Sequence, residues 1–481
     1  MGRHAGLGIS RPAPVARGAR HPVAVPETPT LFRSAGRGPA RRDLRFPQPD
    51  REGAGMTEDT RMAATHAANA YQKAGQARFR EEVIAGGAPY VIAEAVTPHE
   101  IFHALDIPVI SLPWYSAIIS AKQLSPYYFG LMDKLGYHDG LPRYGSLPFM
   151  TTLDGDRDRA PYGGLPKPLM ILERLRGDFG QKIGEQWARA FGGDVPLVSL
   201  DSSSLADLGS PWFDRNQHGW EELYGSDRLD FQVEQLKGVI ALTEALTHRA
   251  LDPEELRKVM HLVNQAGEQV DRAKRLIGGT KPVPVSLPEQ LTNIMAATWN
   301  RGGQWAVDHL TAYCDEIEER IDKGYAICPN EKVRLLWVNN GLWFNTGFYR
   351  AFEESHGATF VWSMYSNFLS DGYRKYFDDG VDPLRALAAR HISMNEQLHL
   401  PGWMAEWIVQ QAKDYQCDGA VVLVPIGDRM SSFGTKICQL ALEQAGIPTL
   451  ELTASMVDSR LWDNDAMIAK VGRFIEERIA A

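Results

Sequence analysis

Cysteine is scarce in this chain and never paired. Four occur in 481 residues, Cys314, Cys328, Cys417 and Cys438, on segments that read as helix or strand interiors and a loop. None is near another in sequence, which leaves out the short-spaced pairs or quartets by which thiolates usually converge on an iron–sulfur cluster. Few, scattered thiols fit a reducing compartment, so the expected location is the cytoplasm. No run of eighteen apolar residues is present, and no basic segment leads into an apolar one as a secretory signal would; no membrane association is expected. A basic excess is missing too. The 51 Lys and Arg stand against 60 Asp and Glu, net −9, the wrong sign for a phosphate-binding surface, so nucleic acid is not an expected partner. No G-x-S-x-G elbow and no lysine-bearing P-loop occurs.

What is present is 44% apolar residues, ample for a large core, over a length that predicts two or three domains. Residues 1–62, rich in Arg, Pro, Gly and Ala without apolar periodicity, predict a disordered leader or a start codon called too early, with Met56 or Met62 the real beginning. A helix is predicted from Thr65, closed by Gly86 and Gly87. The runs PYVI and PVISL then flank the helix HEIFHAL, a βαβ signal. Gly136 to Pro168 reads as a long, mobile-looking loop, followed by the helix GQKIGEQWARAF and the strand PLVSL. From Pro211 to Ile321 long amphipathic helices dominate. The runs RLLWVNN, ATFVWSMY, GAVVLVPI and PTLEL, separated by helix-length segments, predict a second parallel sheet. The expected fold is therefore α/β, with two doubly wound, flavodoxin-like parallel-sheet lobes (63–210 and 331–481) around a helical middle segment (211–330).

Chemistry is expected at strand ends. In WVNNGLWFNTGFY, a strand runs into Asn339, Asn340, Gly341, Trp343 and Asn345 before a helix, which offers amides and backbone N–H groups to a carbonyl or anion; a capped turn with Trp343 packed on the sheet is the bland alternative. In VPIGDRMSSFG, Asp428, Ser431 and Ser432 hold the same place. Asp428 is either half of a surface pair with Arg429 or, if sheltered, an acid or base. The loop between Gly145 and Lys167 carries Gly163 and Gly164, where a backbone can approach a ligand, and Lys167 offers a cation to phosphate. His99 and His103, four apart on a helix, lack a third ligand and predict a half-buried face rather than a metal site.

The stretches PYVIAEAVTPHEIFHALDIPVISLPWYSAIISAK, RYGSL, PYGGLPKP, VRLLWVNNGLWFNTGFYRAFEESHGATFVWSMY, YFDDGVDPLRALAAR, YQCDGAVVLVPIGDRMSSFG and GIPTLELTASMVD, in that order, resemble the B-type subunit of the benzoyl-CoA reductase and 2-hydroxyacyl-CoA dehydratase family. The resemblance runs from about residue 88 to the C-terminus. It implies α/β lobes around a [4Fe–4S] cluster, pairing with a related subunit, an aromatic or 2-hydroxy acyl-CoA thioester as ligand, and an ATP-hydrolysing activator that delivers electrons. This chain departs from it where cluster cysteines are expected: Gly145 stands within the motif Tyr144-Gly145-Ser146, Gly177 at or near the second position, and Asp428 at the third. Losing three thiolates removes the soft donors a cluster needs, so no cluster is expected here, and a [4Fe–4S] group is left to a partner subunit.

The expected function is a subunit of an acyl-CoA-processing complex that keeps the thioester pocket and does proton chemistry through Asp428. Its expected substrate-binding residues are Tyr144, Gly145, Ser146, Gly163, Gly164, Lys167, Trp343, Asn345, Ser431 and Ser432. The alternative is a non-catalytic scaffold that holds a cluster-bearing partner.

Overall fold

Short apolar runs become two four-stranded sheets. In the computed structural model, which describes residues 60–137, 141–175, 178–201, 212–432 and 434–479, the first sheet comprises β1 (Val91–Ala93), β2 (Val109–Ser111), β3 (Met170–Arg174) and β4 (Leu197–Leu200), all parallel in the order β2-β1-β3-β4. The second comprises β5 (Val333–Val338), β6 (Ala358–Ser363), β7 (Gly419–Pro425) and β8 (Thr449–Ala454), parallel in the order β6-β5-β7-β8. Each sheet thus runs second, first, third, fourth along its own lobe, the flavodoxin-like winding, whose direction of travel reverses between the first and third strands. Val91 sits opposite both Val109 and Met170, and strands β1, β3, β5 and β6 are buried throughout, as helices on both faces of a parallel sheet require.

Helices Ser226–Thr247, Pro253–Gly279, Leu287–Trp299 and Gln304–Asp322 form the middle segment. Asp252 caps the second by accepting from the Glu254 N–H at 2.9 Å, with Pro253 at the first helical position, a pairing that suits both residues. Thr60–Ala481 makes one compact unit with a single apolar core running through both lobes. Met62, assigned to the leader by composition, is buried, and its N–H donates to Glu289 at 2.8 Å. The expected boundary at residue 210 lies outside the described residues.

Two corrections concern residues 136–174. The segment from Gly136 to Pro168 is not one long loop, because Arg143–Leu153 is a helix that buries Tyr144, Leu147, Phe149 and Met150. Pro148 inside it has no N–H to give the Tyr144 carbonyl four residues back, and the Ser116 hydroxyl supplies the missing donor at 2.6 Å. Strand β3 was not foreseen from sequence. Its apolar run ends on Glu173 and Arg174, both nonetheless buried.

One buried ion cluster joins all three segments. Glu100, on the helix His99–Ala104, receives Arg301 Nε at 2.8 Å and Arg390 Nη1 at 3.3 Å, and none of these side chains is exposed. Burial raises the Glu100 carboxyl, yet the two guanidiniums outweigh it and hold it far below the carboxylate range. Burial, then the Arg301 charge, pushes His103 down to about 4, and burial pushes His309 to about 4. A histidine whose folded pKa is depressed leaves the unfolded chain the better proton acceptor as pH falls from about 6.5, and a depressed Glu100 acts the same way below its unfolded value. Urea midpoints should therefore fall steadily from pH 7 to pH 4, with part of the slope removed in His103→Gln; an unchanged slope in that variant would remove His103 from the account.

Candidate functional site

The carboxyl ends of the strands from both sheets point at one enclosed space. A cavity of about 120 Å³ is lined by residues just beyond β1 (Glu94, Ala95, Val96), β2 (Leu112, Pro113, Trp114), β5 (Asn339, Asn340, Trp343), β6 (Met364, Tyr365, Phe368) and β7 (Asp428, Ser431), and by Glu173 in β3. It therefore sits at the reversal point of both windings at once, β1/β3 on one side and β5/β7 on the other, the place where open parallel sheets hold ligands. The helix Arg143–Leu153 brings Tyr144 and Gly145 to the same wall. Its start is clamped across the lobes: the Arg143 N–H donates to Gly427 O at 3.2 Å, and Arg143 Nη1 donates to Asp458 at 3.1 Å. Gly427, at φ +72°, holds a conformation suited to glycine, with Arg143 packed on it.

Each wall is fixed by identifiable contacts. Asn339 ends β5 at φ +81°, a left-handed conformation that asparagine tolerates; its amide donates to Leu423 O at 3.1 Å and Ser431 O at 2.6 Å. Asn340 Nδ2 donates to Ser431 Oγ at 2.8 Å, and its Oδ1 accepts from the Tyr365 hydroxyl. Asp428 Oδ1 accepts from the Ser431 N–H at 3.1 Å. That is an N-cap on the turn Arg429–Ser432, so the aspartate is held by its own helix while it faces the cavity. It is 6% exposed, so the carboxylate is sheltered from bulk water. On the opposite side, Glu94 Oε2 accepts from the Val96 N–H at 2.9 Å, and the Glu94 carbonyl meets His99 Nε2 at 2.9 Å. A carbonyl can only accept, so that nitrogen carries the proton, leaving Nδ1 to face Arg301 Nη1 at 3.3 Å. The buried cluster around Glu100 thus backs the loop that carries Glu94.

Aromatic rings supply much of the remaining surface. Trp114 lies 6.2 Å from Trp299 and meets Trp343 edge-on at 6.5 Å; Trp343 meets Tyr365 at 5.0 Å, and Tyr365 meets Phe368 at 5.1 Å. Gly341 admits the Trp343 ring, since a Cβ there would stand 3.2 Å from it. Burial raises both the Tyr144 and Tyr365 hydroxyls well above the usual phenol value, so both remain protonated.

Of the residues singled out from sequence, Tyr144, Gly145, Asn339, Asn340, Trp343, Asp428 and Ser431 line this cavity. The others lie elsewhere. Ser146 is buried and turns back to Pro142 O at 2.8 Å, Ser432 Oγ donates to the Asp428 carbonyl at 2.7 Å, and Asn345 bonds Asn464 at the surface. Gly163, Gly164 and Lys167 precede β3, which places them at the opposite edge of the sheet from the strand ends; Lys167 is exposed and paired with Asp194. Gly177 lies outside the described residues. His99 is buried and His103 half-buried, and both are bonded to carbonyls. Sequence reasoning missed Glu94, Glu173, Trp114, Trp299, Tyr365 and Phe368. The signal for Glu94 was an acid directly after an apolar strand.

The sequence profile of the 2-hydroxyglutaryl-CoA dehydratase D-component family matches residues 94–477. The chain belongs to this 2-hydroxyacyl-CoA dehydratase family. No curated protein matches it. The match begins at Glu94 on the cavity wall and takes in both sheets beyond β1, so this dehydratase-type subunit, a component of an enzyme complex, carries its cavity within the family's shared region. No helix among the described residues is long and apolar enough to cross a membrane.

The residues present do not suit a [4Fe–4S] cluster. Gly145 and Asp428, at two of the positions where the family pattern leads one to expect cysteine, face the same cavity, and the side chains there offer carboxylate, hydroxyl and phenol oxygens, hard donors rather than thiolates. None of the four cysteines lines it. Burial pushes the Cys314 and Cys438 thiols up to about 12 and raises Cys328 and Cys417 as well, which favours the thiol over the ligating thiolate. Among the described residues, no group of three or more His, Cys, Asp or Glu is placed to hold a metal ion.

Proposed function

We propose that this chain is the acyl-binding subunit of a 2-hydroxyacyl-CoA dehydratase-type complex in the cytoplasm, and that it receives an aromatic acyl-CoA thioester in the cavity without a cluster of its own. The observation that carries this reading is the meeting of both sheets' reversal points on a space of about 120 Å³ walled by Trp114, Trp299, Trp343, Tyr365 and Phe368. An apolar cavity of about 150 Å³ takes a benzene ring, so the space suits the ring of an acyl group, with the rest of the thioester outside. Asp428, held by the Ser431 N–H, is the group for proton transfer at the acyl α- or β-carbon. A related subunit completes the complex and holds whatever [4Fe–4S] cluster the assembly uses, with an ATP-dependent activator serving that partner. The carboxylate, hydroxyl and phenol oxygens around Asp428, in place of thiolates, support this division of labour.

The anaerobically purified chain should be colourless, and iron and sulfide analysis should find less than a tenth of an equivalent per chain. A stoichiometric cluster would refute the cluster-free reading. Lys167→Ala, at the far sheet edge and in a solvent-exposed pair that water screens, should leave the thermal midpoint unchanged and thioester affinity within two-fold of the parent. A ten-fold loss of affinity would show that the ligand reaches that edge.

A further inference from the structure

The cavity holds two phenols that proton transfer by Asp428 does not itself employ. Tyr144 and Tyr365 are 9% and 6% exposed, and both line the cavity together with Asp428. The Tyr365 proton is directed to Asn340 Oδ1, so its oxygen keeps a free lone pair for a neighbouring donor. The Asn340 amide continues through Nδ2 to Ser431 Oγ at 2.8 Å, and the Ser431 N–H holds Asp428 Oδ1 at 3.1 Å. One side-chain amide at the end of β5 therefore fixes a phenol on one side and the carboxylate's anchor on the other. Tyr144 itself is set by its helix and by Ser116 on its carbonyl, and its hydroxyl is a rotor whose proton can turn toward an incoming oxygen.

We infer that Tyr144 is a catalytic hydrogen-bond donor to the thioester oxygen, with Tyr365 and Asn340 as its positioning residues. The inference rests on Asp428 acting as the base. Asp428 takes the α-proton: the C–H bond breaks, an O–H bond forms on the carboxyl, and the freed electron pair becomes the C=C bond of an enolate. The negative charge moves to the thioester oxygen, where a protonated phenol in a water-poor site stabilises it. No oxidant or reductant enters, and the proton returns from the Asp428 carboxyl to the α-carbon, which re-forms the thioester and completes an exchange.

The test uses 4-nitrophenol, whose ionised form absorbs in the visible and mimics an oxyanion on a ring, and 4-nitrotoluene as its neutral isostere. Both are titrated against the full chain in the Asp428→Asn background, which has the charge of the base after proton uptake. The expected result is nitrophenol bound in its ionised form, with affinity lost about 100-fold on adding Tyr144→Phe, the scale of one oxyanion donor. The 4-nitrotoluene affinity stays within two-fold. Tyr365→Phe and Asn340→Ala should shift bound nitrophenol toward its neutral spectrum without moving nitrotoluene, a change that a merely structural role would not produce. Equal losses for both probes, binding of the neutral form only, or binding of neither overturns the inference. Deuterium exchange at the α-carbon of an arylacetyl-CoA, followed by NMR with the parent chain, separates the two readings. A Tyr144-dependent nitrophenolate site without exchange leaves the donor in place and removes Asp428 as the base.

Discussion

Asp428→Asn abolishes turnover by the assembled complex, with a loss of about 10²–10⁴-fold, the range assigned to a positioned general acid or base. The substitution is a clean one. Asparagine caps a helix about as well as aspartate, so the Ser431 N–H keeps its acceptor and the turn Arg429–Ser432 keeps its start. Volume is unchanged, and the wall formed with Asn340 and Tyr365 is undisturbed. Only the charge and the ability to take a proton are lost. Thermal midpoint and thioester affinity should stay near the parent values while the rate collapses. Full activity in this variant would remove Asp428 from the mechanism, and a parallel loss of stability would mean that its place is structural.

Glu100→Gln destabilises the chain by about 3–5 kcal/mol, the cost of breaking a buried ion cluster from one side. Its carboxylate is the acceptor shared by Arg301 and Arg390, all three side chains being shielded from water. Removing it strands two guanidiniums among Tyr373, Met260 and Asn264. The same change loosens the backing of the cavity, because Arg301 also reaches His99, which holds the Glu94 carbonyl. Chemical denaturation should show a lower midpoint at pH 7 and a flatter dependence on pH below 5, since the titrating carboxylate has gone. A loss under 1 kcal/mol would show that the arginines find other partners.

Much of the fold was legible because buried parallel strands announce themselves as short apolar runs between helices. The runs at Val91, Val109, Leu197, Val333, Ala358, Gly419 and Thr449 all became strands. Strand β3 stayed hidden because its run passes without a break into Glu173-Arg174, and acid and base at a strand's end normally signal a surface. Their burial is a tertiary effect, seen in Arg174 Nη1 reaching the His391 carbonyl at 3.0 Å. The helix Arg143–Leu153 was hidden by Gly145 and Pro148 within it, whose local preference was overridden by packing and by the Ser116 hydroxyl.

At the site, the residues read correctly as neighbours were those directly after a strand, such as Trp343 and Asp428, because strand polarity alone puts them at the carboxyl edge. Lys167, Gly163 and Gly164 were grouped with them on composition. With β3 unrecognised, nothing in the sequence revealed that they come before a strand and so at the other edge. The aromatic wall was out of reach for a different reason. Trp114, Trp299 and Tyr365 come from three distant segments, and only the packing of the middle helices between the lobes brings them together.

The central claim is that a cavity at two strand reversals takes an acyl-CoA thioester without iron. It is tested most directly by calorimetric titration of the anaerobically purified, iron-free chain with benzoyl-CoA. The account predicts saturable binding at one ligand per chain, weakened at least ten-fold when Trp343→Ala opens the wall. No binding, or binding that arises only after iron and sulfide are supplied, would contradict it.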